Sequence, residues 1–298
     1  MNLGYACANL TLAKNKTKVC CNRSMVKKTF LSKGIDYASE LALLNVKDLS
    51  VILRWNVANN INFFRVSSDM FPWASHYKLS ELPQYDLIKS ELLSIGNYAK
   101  ENKLRLTSHP GPFNVLVSPN SSVVENTISD LNKHGELFDL LSLSNSTYNK
   151  INIHCNGVYG DKKAAMDRFC TNFKKLPESV RTRLTVENDD KASMYSVLDL
   201  MYLHENIGIP IVFDYHHHKF CTGDLSEKEA LKLAVSTWPK GITPVVHYSE
   251  SKSVHENNSE IKLQAHSDYI NNLPDTYGLD VDIMVEAKAK ELSIIPFL

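Results

Sequence analysis

The feature that most constrains this chain is a rhythm. Short runs rich in β-branched and aromatic residues alternate with longer amphipathic stretches from one end to the other. The runs fall at 3–7, 61–67, 104–108, 150–155, 183–187, 210–214, 243–248 and 282–286, and the stretches between them read as helices at 38–58, 84–102, 122–143, 161–176, 191–206 and 226–238. Within 38–58, Leu41, Leu44, Leu49, Ile52, Leu53 and Val57 make one broad apolar face, as a helix laid on a sheet requires. Parallel strands need crossover helices and cover on both faces, so eight βα units predict a closed (β/α)8 TIM barrel, with an open doubly wound sheet as the alternative. With 298 residues, 43% of them apolar, the chain can fill one large core, so 1–298 is expected to form a single domain. No G-x-G-x-x-G follows a strand and no G-x-x-x-x-G-K-[ST] occurs, which removes the main support for dinucleotide and phosphate loops. The polar stretch 250–265 is expected to be an exposed loop.

Ligand-type side chains collect at the carboxyl ends of these runs. His109 ends L-R-L-T-S-H, His154 ends I-N-I-H, Glu187 ends L-T-V-E, Asp214 ends I-V-F-D, His247 ends V-V-H and Glu286 ends I-M-V-E. In a β/α barrel such ends converge on one mouth, where active sites are built. Imidazoles and carboxylates gathered there call for cations, because buried carboxylates otherwise repel one another. A lone strand-end His is usually a hydrogen-bonded rim residue, and Glu187 and Glu286 also read as salt-bridge partners; the set points to metal because six positions are equivalent. Mixed nitrogen and oxygen donors suit Mn²⁺, Zn²⁺ or Fe²⁺ better than Mg²⁺ or Ca²⁺, and more than four donors imply more than one ion. Neighbouring ions suit phosphodiester hydrolysis. In D-Y-H-H-H, strand alternation places Asp214, His216 and His218 on one side, but past the strand end Asp214 can instead cooperate with His217. His134, His204 and His255 read as ordinary helix or loop residues.

Charge says less. The 33 basic and 33 acidic residues cancel, so any nucleic-acid surface must be local; Lys14, Lys16, Lys18, Arg23, Lys27 and Lys28 are the richest source, although such runs are usually solvated faces. Cys7, Cys20, Cys21, Cys155, Cys170 and Cys221 contain no C-x-x-C pair and no disulfide spacing, which fits a reducing, intracellular setting. Met1 leads almost directly into the first apolar run, and no segment is long enough to span a membrane, so a soluble protein without a signal peptide is expected.

The stretch L-G-Y-A-C-A-N-L-T-L at 3–12 closely resembles the opening of UV-damage endonucleases. The resemblance continues through F-R-V-S-S-D-M-F-P-W-A-S-H at 64–76, S-H-P-G at 108–111, H-C-N-G-V-Y-G-D-K at 154–162, V-E-N-D-D at 186–190, F-D-Y-H-H at 213–217 and V-E-A-K-A-K-E at 285–291. It covers nearly the whole chain. It implies a barrel related to the apurinic endonuclease fold and a multinuclear site commonly associated with manganese. That site would nick damaged double-stranded DNA 5′ to pyrimidine dimers and 6-4 products, with abasic sites as a further class, leaving 3′-hydroxyl and 5′-phosphate ends. Two or three Mn²⁺ ions are implied, with Zn²⁺, Mg²⁺ or Co²⁺ as alternatives. By motif, His109, His154, Glu187, Asp214, His217, His247, His266 and Glu286 carry over as metal ligands, and Glu187, His76 and His247 as catalytic residues. The family pairs the Asp with the His three positions on, which selects His217 over His216. Glu187 is the candidate bridging ligand.

Tyr5, Asn9, Pro112 and Phe113 fall where the family contacts DNA, although Tyr5 also reads as core and Asn9 as a turn residue. Two departures stand out. The family usually follows H-P-G with Gln and an aromatic residue; here Pro112 lacks the amide that would probe a base, while Phe113 can still insert or stack. Relatives often carry Lys two residues before the last strand-end His, and this chain has Val245, so an amine that assists the metal site is expected to be missing. Altered metal dependence or rate is expected before loss of activity. The competing readings are an abasic-site endonuclease, a metal-dependent sugar isomerase of the same barrel class, and an inactive damage-binding protein. No obligatory protein partner is evident, and a monomer is expected.

Overall fold

The computed structural model describes residues 1–298. Eight parallel strands close into a barrel in sequence order: β1 Leu3–Ala6, β2 Phe63–Val66, β3 Arg105–Ser108, β4 Ile151–His154, β5 Leu184–Glu187, β6 Ile211–Asp214, β7 Val245–Tyr248 and β8 Asp282–Val285. β8 returns to β1 through the register Leu3↔Ile283 and Gly4↔Met284, which leaves the sheet without an edge. The helices are α1 Leu10–Ala13, α2 Lys27–Ala58, α3 Tyr85–Glu101, α4 Ser121–Leu140, α5 Lys162–Phe173, α6 Glu178–Arg181, α7 Val197–Ile207, α8 Tyr215–His218, α9 Glu227–Ser236, α10 Lys252–His255 and α11 Glu291–Ile294. This is the expected TIM barrel, not the open sheet.

Element boundaries differ from the sequence reading for local reasons. Helical backbone begins at Lys27 rather than 38, and the two segments of α2 meet at Gly34, whose φ of 66° and ψ of −158° suit a residue without Cβ. α7 starts at Val197 rather than 191, because Ser196 Oγ accepts from Asp199 N while the Asp199 carboxylate accepts from Ser196 N. The stretch 250–265 holds α10, and Ser251 bridges to His266 in antiparallel fashion. On α2, Leu49, Ile52 and Leu53 are fully buried against the sheet, whereas Leu44 stays 46% exposed. No helix is long and apolar enough to cross a membrane.

Inside the barrel, Ala6, Phe63, Val212, Trp238, Val245 and Met284 form their own apolar cluster. Gly4 makes room for it: a Cβ there would come within 2.6 Å of the Phe63 ring. Arg105 closes the foot of the barrel, fully buried, donating to Asp282 Oδ2 at 2.9 Å and to the carbonyls of Thr243 and Tyr148, both at 2.8 Å. Asp282 Oδ1 in turn accepts from Asn2 N at 2.7 Å. β3 and β4 share one register pair, Ser108↔Ile151, where β4 and β5 run from Ile151↔Leu184 to His154↔Glu187. Beside that sparse pairing the Asn149 side-chain amide donates to Leu106 O at 2.9 Å.

Candidate metal centre

Alternation along four-residue strands aims every second side chain into the barrel, so the last inward residue of each strand reaches the mouth. Glu187, at the end of β5, is the hub. Its Oε2 lies 3.2 Å from His109 Nε2 and 3.0 Å from His247 Nδ1, and its Oε1 lies 3.3 Å from His217 Nδ1 and 3.8 Å from His154 Nε2. Asn152 Nδ2, one layer below, also donates to Oε2, and Thr185 Oγ1 donates to Asn152 Oδ1 at 2.8 Å, which fixes the amide's orientation. Three groups could each hold an ion: His109, His154 and Glu187; Glu187, Asp214 and His217; Asp214, His247 and Glu286. Glu187 and Asp214 each belong to two of them, so the groups form a connected chain.

The donors fit cations. Glu187 Oε1, Asp214 Oδ2 and His247 Nδ1 are buried with no hydrogen-bond partner, a costly state unless something charged faces them. Groups behind the ring nitrogens orient them. His109 Nδ1 donates to Pro110 O at 3.1 Å and His217 Nδ1 to Asn188 O at 2.9 Å, which fixes the orientation of both rings. His154 Nδ1 sits 3.1 Å from Asp189 Oδ1. Electrostatics agree with mutual dependence. Burial alone would raise the Glu187 carboxyl, but His247 and His154 hold it well below the usual carboxylate range. Burial would also raise Glu286, which Arg65 and His247 outweigh. Burial lowers His109 to about 4, whereas His217 is held well above its usual value because Asp214 and Glu187 overcome burial.

The D-Y-H-H-H ambiguity resolves through backbone geometry. The strand ends at Asp214 and α8 begins at once, with Asp214 Oδ1 accepting from His217 N at 2.7 Å; a helical turn therefore brings residues three apart together. His216 is buried beside Phe220 and His266 instead. His266 lies at the margin, its Nδ1 3.2 Å from Glu286 O and 4.0 Å from Glu286 Oε2. His76 is exposed on a short 3₁₀ turn, its ring tilted against Phe30 and Trp73, and belongs to none of the three groups. His134 meets Ser108 Oγ at 3.3 Å, His204 meets Ile209 O at 3.1 Å and His255 pairs with Glu250, so all three are spoken for locally.

Several expectations change. Tyr5 is fully buried, donating to Asn56 Oδ1 at 2.6 Å and accepting from Asn9 Nδ2 at 2.9 Å, and Asn9 Oδ1 accepts from Leu12 N at the start of α1. Neither presents a surface to a duplex; they brace the loop after β1. Pro112 and Phe113 are exposed, Phe113 at 87%. In the basic run, Lys14, Lys16, Lys18, Lys27 and Lys28 are exposed, but Arg23 is engaged with Asp48 Oδ2 at 2.6 Å.

No amine stands at position 245, but another lysine does stand beside His247. Val245 is part of the apolar interior, yet Lys150, fully buried just before β4, reaches across the barrel to place Nζ 3.1 Å from His247 Nε2. Burial lowers its amine to about 7, against the opposing pull of Glu187. Sequence reading also missed Arg65, which pairs with Glu286, because nothing marks a charged residue as inward-facing in so short a strand. Lys150→Met, which keeps an unbranched side chain and removes the amine, is expected to weaken divalent-ion affinity by roughly 10–100-fold, the usual range for a group that orients a ligand. Calorimetric titration with Mn²⁺ measures this, and wild-type affinity would show that the contact is incidental.

A family model described as UV-endonuclease UvdE matches residues 1–298. The chain is 38% identical over 301 residues to a UV-damage endonuclease of Schizosaccharomyces pombe, covering 98% of this chain but 49% of that protein, so it spans about half the relative's length. It is 35% identical to a UV DNA damage endonuclease of Clostridium perfringens, covering 99% of this chain and 69% of the relative. The crystal structure of SacUVDE superposes with a TM-score of 0.84 at 33% identity, covering 99% of this chain and 96% of that one. A D-psicose 3-epimerase from Clostridium cellulolyticum H10 superposes with a TM-score of 0.53 at 12% identity over 96% of this chain and 85% of the other, which is a likeness of fold alone.

Proposed function

The chain belongs to the UV-endonuclease UvdE family, and from that membership we propose that it is a metal-dependent DNA repair endonuclease. Its reaction is hydrolysis of the phosphodiester bond 5′ to pyrimidine dimers and 6-4 products, leaving a 3′-hydroxyl and a 5′-phosphate. The observation that carries this reading is Glu187, a buried carboxylate facing four imidazoles with one oxygen left unpartnered. A structural salt bridge needs one cation, not a ring of imidazoles around a shared acceptor.

In this reading His109 and His154 would hold an ion at one end of the set, Asp214 and His217 in the middle, and His247, Glu286 and His266 at the other end, with Glu187 common to two of the groups. Two or three divalent ions, manganese foremost, would supply an activated water and positive charge for the phosphate and leaving oxygens. Asn152 and Lys150 keep Glu187 and His247 aimed inward. Arg65 balances Glu286, so an incoming phosphate meets a mouth of reduced negative charge. His76, exposed and held against Phe30 and Trp73, is assigned to the phosphate side of the substrate rather than to an ion. Phe113 is assigned to the distorted bases, and Pro112 shapes its loop without reading a base edge. Tyr5 and Asn9 support the interface from beneath.

The test is a nicking assay on duplex oligonucleotides carrying one pyrimidine dimer, one abasic site or no lesion, with Mn²⁺ and with a chelator. Manganese-dependent cleavage immediately 5′ to the dimer is expected. Cleavage at the abasic site alone would move the chain to that substrate class. Tight lesion binding without cleavage would make it a damage binder, and indifference to DNA would favour a sugar-directed barrel.

A further inference from the structure

On the loop that follows β4, next around the barrel to the loop that carries Phe113, the mouth presents a second exposed aromatic ring. Tyr159, in the loop between β4 and α5, is 50% exposed. Its backbone is left-handed, with φ of 51°, in a loop where Asn156, Gly157 and Gly160 also have positive φ, at 56°, 34° and 80°. A bulky residue is rarely held that way, and such strain persists where the surroundings impose it. The ring lies directly over the Gly157 backbone, where an added Cβ would come within 2.7 Å of Tyr159 Cε2, so only glycine at 157 permits this placement. Arg168 stands 5.7 Å from the ring centroid.

The Phe113 loop is fastened both to this loop and to α5, the helix that follows it. Asn156 Nδ2 donates to Asn114 O at 3.3 Å, Arg168 Nε to Val117 O at 2.7 Å and Asn172 Nδ2 to Leu116 O at 2.8 Å. Two rings are thus presented from adjacent strand ends on a braced support, next to His109 and His154 at the ends of their shared neighbourhood. Aromatic rings offered to solvent beside a phosphate-cutting centre suit the faces of unstacked bases, which every nucleobase provides whatever its sequence.

Resting on the endonuclease reading above, we propose that Tyr159 is a second base-stacking residue of the DNA interface, receiving a nucleobase displaced from the duplex alongside Phe113. The pair would make good part of the loss at Pro112, which offers no amide to a base edge. The experiment compares the wild-type protein with Tyr159→Ala, Tyr159→Leu and Tyr159→Phe on a dimer-containing duplex with 2-aminopurine beside the lesion. Steady-state nicking is measured in Mn²⁺, and fluorescence on binding is measured with chelator present. Both Tyr159→Ala and Tyr159→Leu are expected to raise KM about five- to hundredfold, the range for one lost base–aromatic stack. They should lower kcat much less and change the 2-aminopurine signal on binding, while Tyr159→Phe stays close to wild type. A variant that merely loosens the loop would lower kcat through His154 and leave the 2-aminopurine signal on binding unchanged. Unchanged KM and fluorescence in both Tyr159→Ala and Tyr159→Leu would overturn the inference. If the wild-type protein fails to nick, the endonuclease reading falls, and the fluorescence arm still decides whether Tyr159 meets a base.

Discussion

Glu187→Gln is expected to lower lesion-directed nicking at least about a thousandfold, ~4 kcal/mol of transition-state stabilisation, with the fold retained. The reason lies in what an amide can face. Glu187 meets His109 and His247 with one oxygen and His154 and His217 with the other, while Asn152 donates to the first. Gln offers an acceptor on one side only, and its NH₂ on the other competes with a donor or occupies the space of a cation. Two of the three ligand groups contain Glu187, so both lose a member in one substitution. The variant should unfold below the wild-type temperature in chelator while remaining folded, because His247 and His154, which outweigh the burial cost of the carboxylate, lose their charged partner. Mn²⁺ should raise the wild-type melting temperature and leave that of the variant nearly unmoved, since a ligand stabilises only the state it binds. Near-normal cleavage by Glu187→Gln would end its assignment as the bridging residue.

Asp282→Ala is the largest stability change we expect, about 3–5 kcal/mol, because it strands the buried Arg105 guanidinium without its carboxylate. The carbonyls of Thr243 and Tyr148 remain as acceptors, which places the effect toward the lower end. For a chain of this length that corresponds to a fall in Tm of roughly 5–8 °C. Asp282 begins β8 and Glu286 follows its end, so the lesion lies at the opposite end of the barrel from the ligands. Nicking well below Tm should therefore persist. A Tm within one degree of wild type would mean that water or backbone shifts replace Asp282 completely; lost activity in a well-folded variant would mean that the foot and mouth of the barrel are mechanically coupled.

Much of this was legible in the chain itself, and the division follows physical lines. All eight strands announced themselves, because strands buried on both faces are largely apolar and β-branched, and the ligands stood out because each closes such a run at its carboxyl end. Asp214 and His217 needed the onset of a helical turn that strand periodicity does not reveal. Lys150, Arg65 and Asn152 were invisible for another reason. In a strand of four residues the alternation is too brief to tell an inward charged residue from an outward one, and Lys150 finds His247 across the barrel, 97 positions away. Tyr5 and Asn9 sit where a rim residue would, but hydrogen bonds to each other and to Asn56 draw them under the surface. Residues such as Leu44 show the converse, an apolar side chain in perfect helical register that meets no neighbour on the sheet.

The sparse pairing of β3 with β4 has a consequence for how the barrel breathes. Every other seam of the cylinder has at least two register pairs and four of them three or four, whereas here Ser108 N bonds to Lys150 O at 2.9 Å with little ladder on either side. Deuterium should therefore enter along this seam before any other strand boundary, and earlier in the foot than in the mouth, where Asn156 and, from α5, Arg168 brace the loop after β3. Bound DNA, resting on that brace, would act as a clasp over the least protected line of the cylinder and slow exchange there more than anywhere else.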